Sequence, residues 1–444
     1  MHIVYVNGAD TGGGAYCQAS DIRKQLLEMG NEVSLAVRVK YSNDPGVFEI
    51  GNDRCRNAWA RLWFRAFGID PKNEKLDPRQ HRRRRIAIAI GQPIRTWRVL
   101  QGLEDVSFPG TQRILSKLPK KPDIVHLWNL HGGYFDLRVL PELCKVCPVV
   151  IDLQDNWMFT GHCSYFRDCT KWQNGCKPCT YPKAPPAMLK DRAGDNWSMK
   201  RDIYERSEYY VKAPCKWTYD RIEHSILALG MKGIKLITNS SDSSVFFPRD
   251  KLDSRRRLGL PDDALILMYA AQSIENSFYK DWATLRSAIQ SLGKKANPYK
   301  ILLMTVGDGS LKESSFGSVD NIQLPFVRDR EKLAEHYSAA DVFVHAGLEE
   351  VWGLTMTEAM MCGTPVIATA VGGIPEQVFH GVNGLLVPPQ DPVQFANAIE
   401  SLASRPELRQ QLSRAAVEIA ANRFNTKLAA EKHLSFYSEI LSNQ

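Results

Sequence analysis

Nowhere in this 444-residue chain does an apolar run approach the ~20 residues that a membrane-spanning helix needs, so no transmembrane segment is expected. The N-terminus lacks the basic and apolar regions of a secretory leader and opens directly on a strand-like run, "HIVYVN", which points to a cytoplasmic protein. No Asp-x-Asp pair is placed to hold a catalytic metal. Cysteine is scarce, with ten in the whole chain, and in a cytoplasmic setting these read as reduced thiols or metal ligands before disulfides. The excess of positive charge is also small, +8, and its clusters are short: "HRRRR" at His81 to Arg85 and "RRR" at Arg255 to Arg257. Nucleic acid is therefore not an expected partner. Such runs read as solvated faces or as contacts for an anionic partner, a phosphorylated donor or membrane headgroups. What the chain does have is 44% hydrophobic residues, enough for two cores in domains near ~200 residues each.

The densest pattern is "LEEVWGLTMTEAMMCGTPVIATAVGG", Leu348 to Gly373. "DVFVHA" before it and "TPVIAT" within it are short, β-branched, apolar runs that predict buried strands. Between them "LTMTEAMMC" predicts a helix stopped by Gly363, with Pro365 beyond. Strand, loop, helix and strand form the unit of a parallel sheet. Gly353 falls where loop becomes helix, which leaves the amides of Gly353, Leu354 and Thr355 to receive an anion at a positive helix end. Glu350 stands in the loop and Glu358 about a turn into the helix. One acid can face the reacting end of a ligand while the other accepts hydrogen bonds from its hydroxyls, with a phosphate between. Sugar, diphosphate and ribose follow that layout.

Toward the N-terminus, a strand ends near Asn7, a turn carries Gly12, Gly13 and Gly14, and a helix runs to Gly30. A glycine turn after the first strand and before the first helix suits close approach of phosphate; alone it also serves any tight reversal. Residues 41–120 are polar, without a strong period, and read as an elaborated insertion with acceptor-facing helices. "KPDIVHLWNL" and "PVVIDLQD" predict further parallel strands whose ends carry His126, His131, Gln154 and Asp155. "ALILMYAAQ", a loop to Lys280, and "ILLMTVGDG" with Gly307 and Gly309 open a second domain.

These residues resemble the nucleotide-binding signature of the family 4 retaining glycosyltransferases. Glu350, Gly353, Leu354, Glu358, Ala359, Gly363, Pro365 and Val366 match, followed by "GGIPE" and "GLLVPPQD". The resemblance implies an α/β chain of GT-B fold, two facing Rossmann-like domains with a donor cleft between them. Residues 1–245 would be the acceptor-side domain, including the insertion, and 254–425 the nucleotide-sugar domain. The linker would fall near Val245 to Asp253, and 426–444 would be a helix crossing back to the first domain. By the same resemblance, Gly12 to Gly14, Lys280, Gly353, Leu354, Thr355 and Glu358 hold a nucleoside diphosphate sugar. Two departures stand out. The family's loop arginine is missing and Asp281 follows Lys280 where glycine is usual; its His-Asp pair is Gln154-Asp155 here. Gln154 could keep the sugar contact as a neutral amide, the expectation adopted here; His162 or His131 could reach in; or activity could be lost.

Cys163, Cys169, Cys176 and Cys179 lie within seventeen residues. Four thiolates so close suggest a structural, tetrahedral Zn²⁺, with redox thiols or two disulfides as the other readings. The run "DNWMFTGHC" resembles a subset of the family tied to bacterial exopolysaccharide assembly. The expected reaction is retaining transfer of a sugar to a hydroxyl of a glycan or lipid-linked acceptor. The diphosphate is already a good leaving group, so positioning and charge stabilisation by Lys280 and the helix end carry the chemistry without a catalytic metal. Glu350 and Asp155 would be the carboxylates nearest the sugar. A sugar-nucleotide epimerase and a non-catalytic binding protein share the fold and remain alternatives.

Overall fold

The computed structural model describes residues 1–72, 75–295, 298–307, 311 and 313–443; Gly309 lies outside them. The chain forms two compact units. Unit 1 comprises Met1–Pro214, Thr218–Ile237 and Ala430–Gln444, and unit 2 comprises Cys215–Trp217 and Thr238–Ala429. The passage at Ile237–Thr238 lies upstream of the expected linker at Val245 to Asp253.

Unit 1 is built on strands β1 (His2–Ala9), β2 (Glu32–Val39), β3 (Val47–Glu49), β4 (Ile124–Trp128), β5 (Val149–Asp152), β6 (Tyr209–Ala213) and β7 (Met231–Leu236). They form one sheet in the order β3-β2-β1-β4-β5-β6-β7, parallel throughout. Ile3, Val4, Tyr5 and Val6 are wholly buried, as a strand covered on both faces requires; this is why β1 reads as an unbroken apolar run and not as an alternation. Helix α1 (Gly14–Glu28) starts directly at the glycine turn. The segment 41–120, expected to be an elaborated insertion carrying helices, contains α2 (Ala58–Ala66), α3 (Pro78–Gly91) and α4 (Pro93–Leu100). Asp77 opens α3 with a capping box to Gln80, and Phe64, Ile69, Ala87 and Ile88 give the insertion a small core of its own. The tail residues from Ala430 belong to unit 1, where the Tyr437 hydroxyl lies 3.1 Å from that of Tyr5 and 2.5 Å from His126 Nδ1.

Unit 2 repeats the architecture with β8 (Leu265–Ala271), β9 (Ile301–Gly307), β10 (Ser315–Phe316), β11 (Val319–Pro325), β12 (Val342–His345), β13 (Val366–Thr369) and β14 (Gly384–Val387). The order is β10-β11-β9-β8-β12-β13-β14, parallel except for the β10–β11 hairpin. The strands read in the sequence as "ALILMYAAQ", "DVFVHA" and "TPVIAT" are β8, β12 and β13, next to each other in this sheet. Their carboxyl ends, where parallel sheets place ligands, carry the residues described next.

Candidate functional site

In unit 2 the loop after β8 is stitched to the loop after β12. Asp281 N–H donates to Ala346 O (3.0 Å) and Leu348 N–H to Tyr279 O (2.8 Å), with a bridge between Lys280 and Gly347. This stitching brings Lys280 beside Glu350, seventy residues later in the chain. Lys280 Nζ donates to Glu350 Oε2 (2.6 Å) and to His345 Nε2 (2.9 Å). Burial alone would raise the Glu350 carboxyl, but the Lys280 ammonium outweighs it and holds the group at about 2. Burial, followed by the Lys280 charge, lowers His345, so its imidazole stays neutral and accepts the lysine proton through Nε2. His345, the last residue of β12, is a member of this trio that the sequence reading passed over as part of a buried strand. The Asp281 that replaces the family's glycine caps the following helix by accepting from Thr284 N–H (3.2 Å).

The glycines after β13 explain why "GG" follows the acidic loop. Gly373 N–H donates to Glu350 O (2.9 Å). Gly372 has φ +56°, and a Cβ there would sit 1.9 Å from the same carbonyl. A side chain at Gly372 would push the Glu350 backbone out of place, and one at Gly373 would meet Val351 O at 2.2 Å. Gly353 is the N-cap of the helix Leu354–Met361, but its amide is not open as expected. With the Gln377 side-chain amide oriented to satisfy both, Gly353 N–H donates to Gln377 and Gln377 donates to Gly353 O, each at 3.1 Å. The helix start expected to receive an anion is thus reduced to Leu354 and Thr355, whose first-turn amides lack an intrahelical acceptor by position. Glu358 is half-buried and accepts from the Tyr337 hydroxyl (3.0 Å), which orients its carboxylate.

In unit 1, Gly12 has φ +120°, Gly13 is the N-cap of α1 and Gly14 its first residue; all three are exposed. Tyr16, one turn on, lies over Gly8, where a Cβ would meet its hydroxyl at 2.8 Å. At the end of β5 the two residues expected at the reacting centre part company. Gln154 Nε2 donates to Asp152 Oδ1 (2.6 Å), a fully buried carboxylate that Lys212 Nζ also reaches at 3.2 Å. Asp155 accepts from Trp157 N–H (2.8 Å) and pairs with His131, Oδ2 to Nε2, at 2.5 Å. Burial pulls the His131 imidazole down, but Asp155 and then Glu104 reverse this and raise it. Lys200, buried below, donates to Trp157 O (2.7 Å) and Thr160 O (3.1 Å), and desolvation lowers it to about 8. The Gln154 amide, expected to face the sugar, donates from its nitrogen to Asp152, and the imidazole beside Asp155 is His131. His162 does not take that place either. Its Nδ1–H donates to Pro186 O (2.8 Å) and its Nε2 lies 3.3 Å from Cys179 Sγ.

Cys163, Cys169, Cys176 and Cys179 line one small hollow with His162, and none of the ten cysteines is in a disulfide. Gly161 N–H donates to Cys176 Sγ (3.2 Å). With Nδ1 tied to a carbonyl, His162 directs its Nε2 lone pair toward the thiols, the orientation a metal-binding imidazole needs. The donor set fits Zn²⁺ in kind. Among the described residues, however, the one trio of His, Cys, Asp or Glu ligand atoms within 4.8 Å of one another is His126, Asp152 and His433. There the Lys212 ammonium already supplies the countercharge to Asp152.

Residues 250–418, which contain the Lys280–His345–Glu350 trio, match the family model described as "Glycosyl transferases group 1". A D-inositol 3-phosphate glycosyltransferase of Stackebrandtia nassauensis is 33% identical over 214 residues, 46% of this chain and 48% of the relative. The chain thus spans about half the length of the curated relatives it matches. Among solved structures, sucrose-phosphate synthase from Thermosynechococcus elongatus (TM-score 0.61, 19% identity) and Anabaena HepE in complex with UDP-glucose (TM-score 0.61, 17% identity) each align over 100% of both chains. The protein has the GT-B fold of two parallel-sheet, Rossmann-like units, and its segment 250–418 carries the sequence pattern of group 1 glycosyl transferases.

Proposed function

We propose that the protein is a retaining glycosyltransferase that moves a sugar from a nucleoside diphosphate sugar to a hydroxyl of a glycan or lipid-linked acceptor, in bacterial surface polysaccharide assembly. The observation that carries the reading is the Lys280–His345–Glu350 trio beside the Leu354–Met361 helix start, inside the segment matching the family model. Lys280 is the cation for the departing diphosphate, Leu354 and Thr355 add backbone donors, and Glu358 receives the ribose hydroxyls. Charge on the leaving group is met by these fixed groups, so the transfer itself asks for no metal ion. Gly12 to Gly14 admit phosphate without a side chain in the way. His131, held by Asp155, takes the part of the family's histidine that Gln154 leaves vacant. Zn²⁺ is the proposed structural occupant of the cysteine hollow, bound by Cys163, Cys169, Cys176 and Cys179, and it would supply cross-linking only.

Because HepE was solved with UDP-glucose, that donor is the first to test. Incubation of the protein with UDP-, GDP- and other nucleotide-sugars, with and without simple glycoside acceptors, should give donor-dependent product with the anomeric configuration kept. An isomerised donor in the absence of acceptor would establish the epimerase instead. Binding without any turnover would leave a carrier protein.

A further inference from the structure

The insertion helices carry an apolar surface that the fold leaves open. Trp59 and Leu62 on α2, Ile86 and Ile90 on α3, and Ile94 and Trp97 on α4 are all exposed, Ile94 by 76% and Trp97 by 60%. Ile86 and Ile90 lie one turn apart on α3, and α4, which carries Ile94 and Trp97, starts after the single non-helical residue Gln92. Arg61 and Arg65 on α2 and Arg79, Arg82, Arg83 and Arg85 on α3 are exposed around this surface. The described acids of these helices and their connections are Asp70 and Asp77. The missing member of the arginine run, Arg84, is turned inward onto Asp53 (2.6 and 2.9 Å), which also accepts from buried Arg56 (2.9 Å). One arginine of the run anchors α3, then, and its neighbours face outward on an anchored element.

Exposed tryptophan and isoleucine on helices flanked by arginine suit the boundary between headgroups and acyl chains, where indoles sit at headgroup level and guanidinium groups meet anionic lipid. We propose that the α2–α4 face docks on the surface of a bilayer containing anionic lipid. Within unit 1 the face leads toward the proposed reacting centre. Ile94, Arg98 and Val99 of α4 line a hollow of about 200 Å³ with Glu104, Asp105 and Val106, and Glu104 to Val106 also border the smaller hollow of His131 and Trp157. A lipid-linked acceptor held in the membrane would enter by this side. That last step rests on the glycosyl-transfer reading; the docking does not.

The test is flotation of the full chain with vesicles of phosphatidylglycerol and phosphatidylcholine against vesicles of phosphatidylcholine alone. Binding should require the anionic lipid and fall with salt. Arg82→Glu/Arg83→Glu/Arg85→Glu should weaken it by at least on the order of 100-fold, from roughly fivefold per lost positive charge near the surface. Trp59→Ser/Ile94→Ser/Trp97→Ser should abolish retention while melting temperature and transfer to a water-soluble acceptor stay unchanged. Equal binding to neutral vesicles, or none to either, overturns the proposal. So does a concentration-dependent dimer that the same substitutions dissolve, which would make a second copy the occupant. Failed flotation with intact transfer sinks docking alone, whereas flotation without transfer from any donor sinks the enzymatic reading and leaves docking standing.

Discussion

Lys280 has two jobs whose effects must be separated by experiment. It is the proposed diphosphate ligand, and it is the counter-ion of a buried carboxylate. Lys280→Met should cost about 3–5 kcal/mol of unit 2 stability because Glu350 is left buried and unpaired, and Lys280→Met/Glu350→Gln should recover most of that loss in urea melts. Donor binding should remain weak in both, which separates ligand contact from folding. The Glu350 carboxyl titrates at about 2 in the folded chain against 4.5 when exposed. As pH falls the unfolded chain therefore takes up this proton first. The stabilisation is fully present above pH ~4.5 and drains away toward pH ~2, in total on the order of 3 kcal/mol. Stability against pH for Glu350→Gln should lack that part of the slope. At the other reacting group, His131→Ala should lower kcat by about 100-fold, the scale of a positioned acid or base, and flatten a limb of the pH profile while donor affinity holds. Gln154→Ala should act chiefly on stability, by stripping a hydrogen bond from buried Asp152. The opposite ranking would return the sugar contact to Gln154.

At the scale of elements, two irregular segments are held by chemistry that propensity does not report. In the insertion, Asp53 gathers Arg56 and Arg84. Asp53→Ala leaves the fully buried Arg56 without its counter-ion and should cost about 3–5 kcal/mol, seen as early proteolytic cleavage between α2 and α4. In the cysteine segment, the purified protein should carry about one zinc per chain. Removing it with a chelator should lower the melting temperature of unit 1, and Cys176→Ser should reproduce that loss without further sensitivity to chelator. A zinc-free preparation of undiminished stability would leave His162 and the four thiols as a packed hollow.

For the whole molecule, donor recognition should register as stability. A nucleoside diphosphate at a hundred times its Kd should add about 2.7 kcal/mol to the folded state, and a thermal-shift series over bases should rank the natural donor first. Lys280→Met should lose the shift for every nucleotide. Surface variants on α2–α4 should keep it, since they lie outside the residues proposed to hold the donor.

By itself, the sequence determined the strands β1, β4 and β5 of unit 1 and β8, β9, β12 and β13 of unit 2, the acidic loop before the Leu354–Met361 helix, and the cluster of four cysteines. These are legible because β12, β13 and β1 are buried on both faces and so must be continuous apolar runs, and because a helix start, a tight glycine and a cysteine spacing are local in the chain. Other features depend on residues far apart in sequence, and only the tertiary structure decided them. His345 looked like one more strand residue until the loop after β8 was stitched across it. Gly353 looked open until Gln377, twenty-four residues on, closed its amide. Arg84 was indistinguishable from its neighbours until Asp53 selected it. The imidazole beside Asp155 proved to be His131, because β4 and β5 lie side by side in the sheet and bring their carboxyl-end loops together, while the Gln154 side chain satisfies a buried carboxylate.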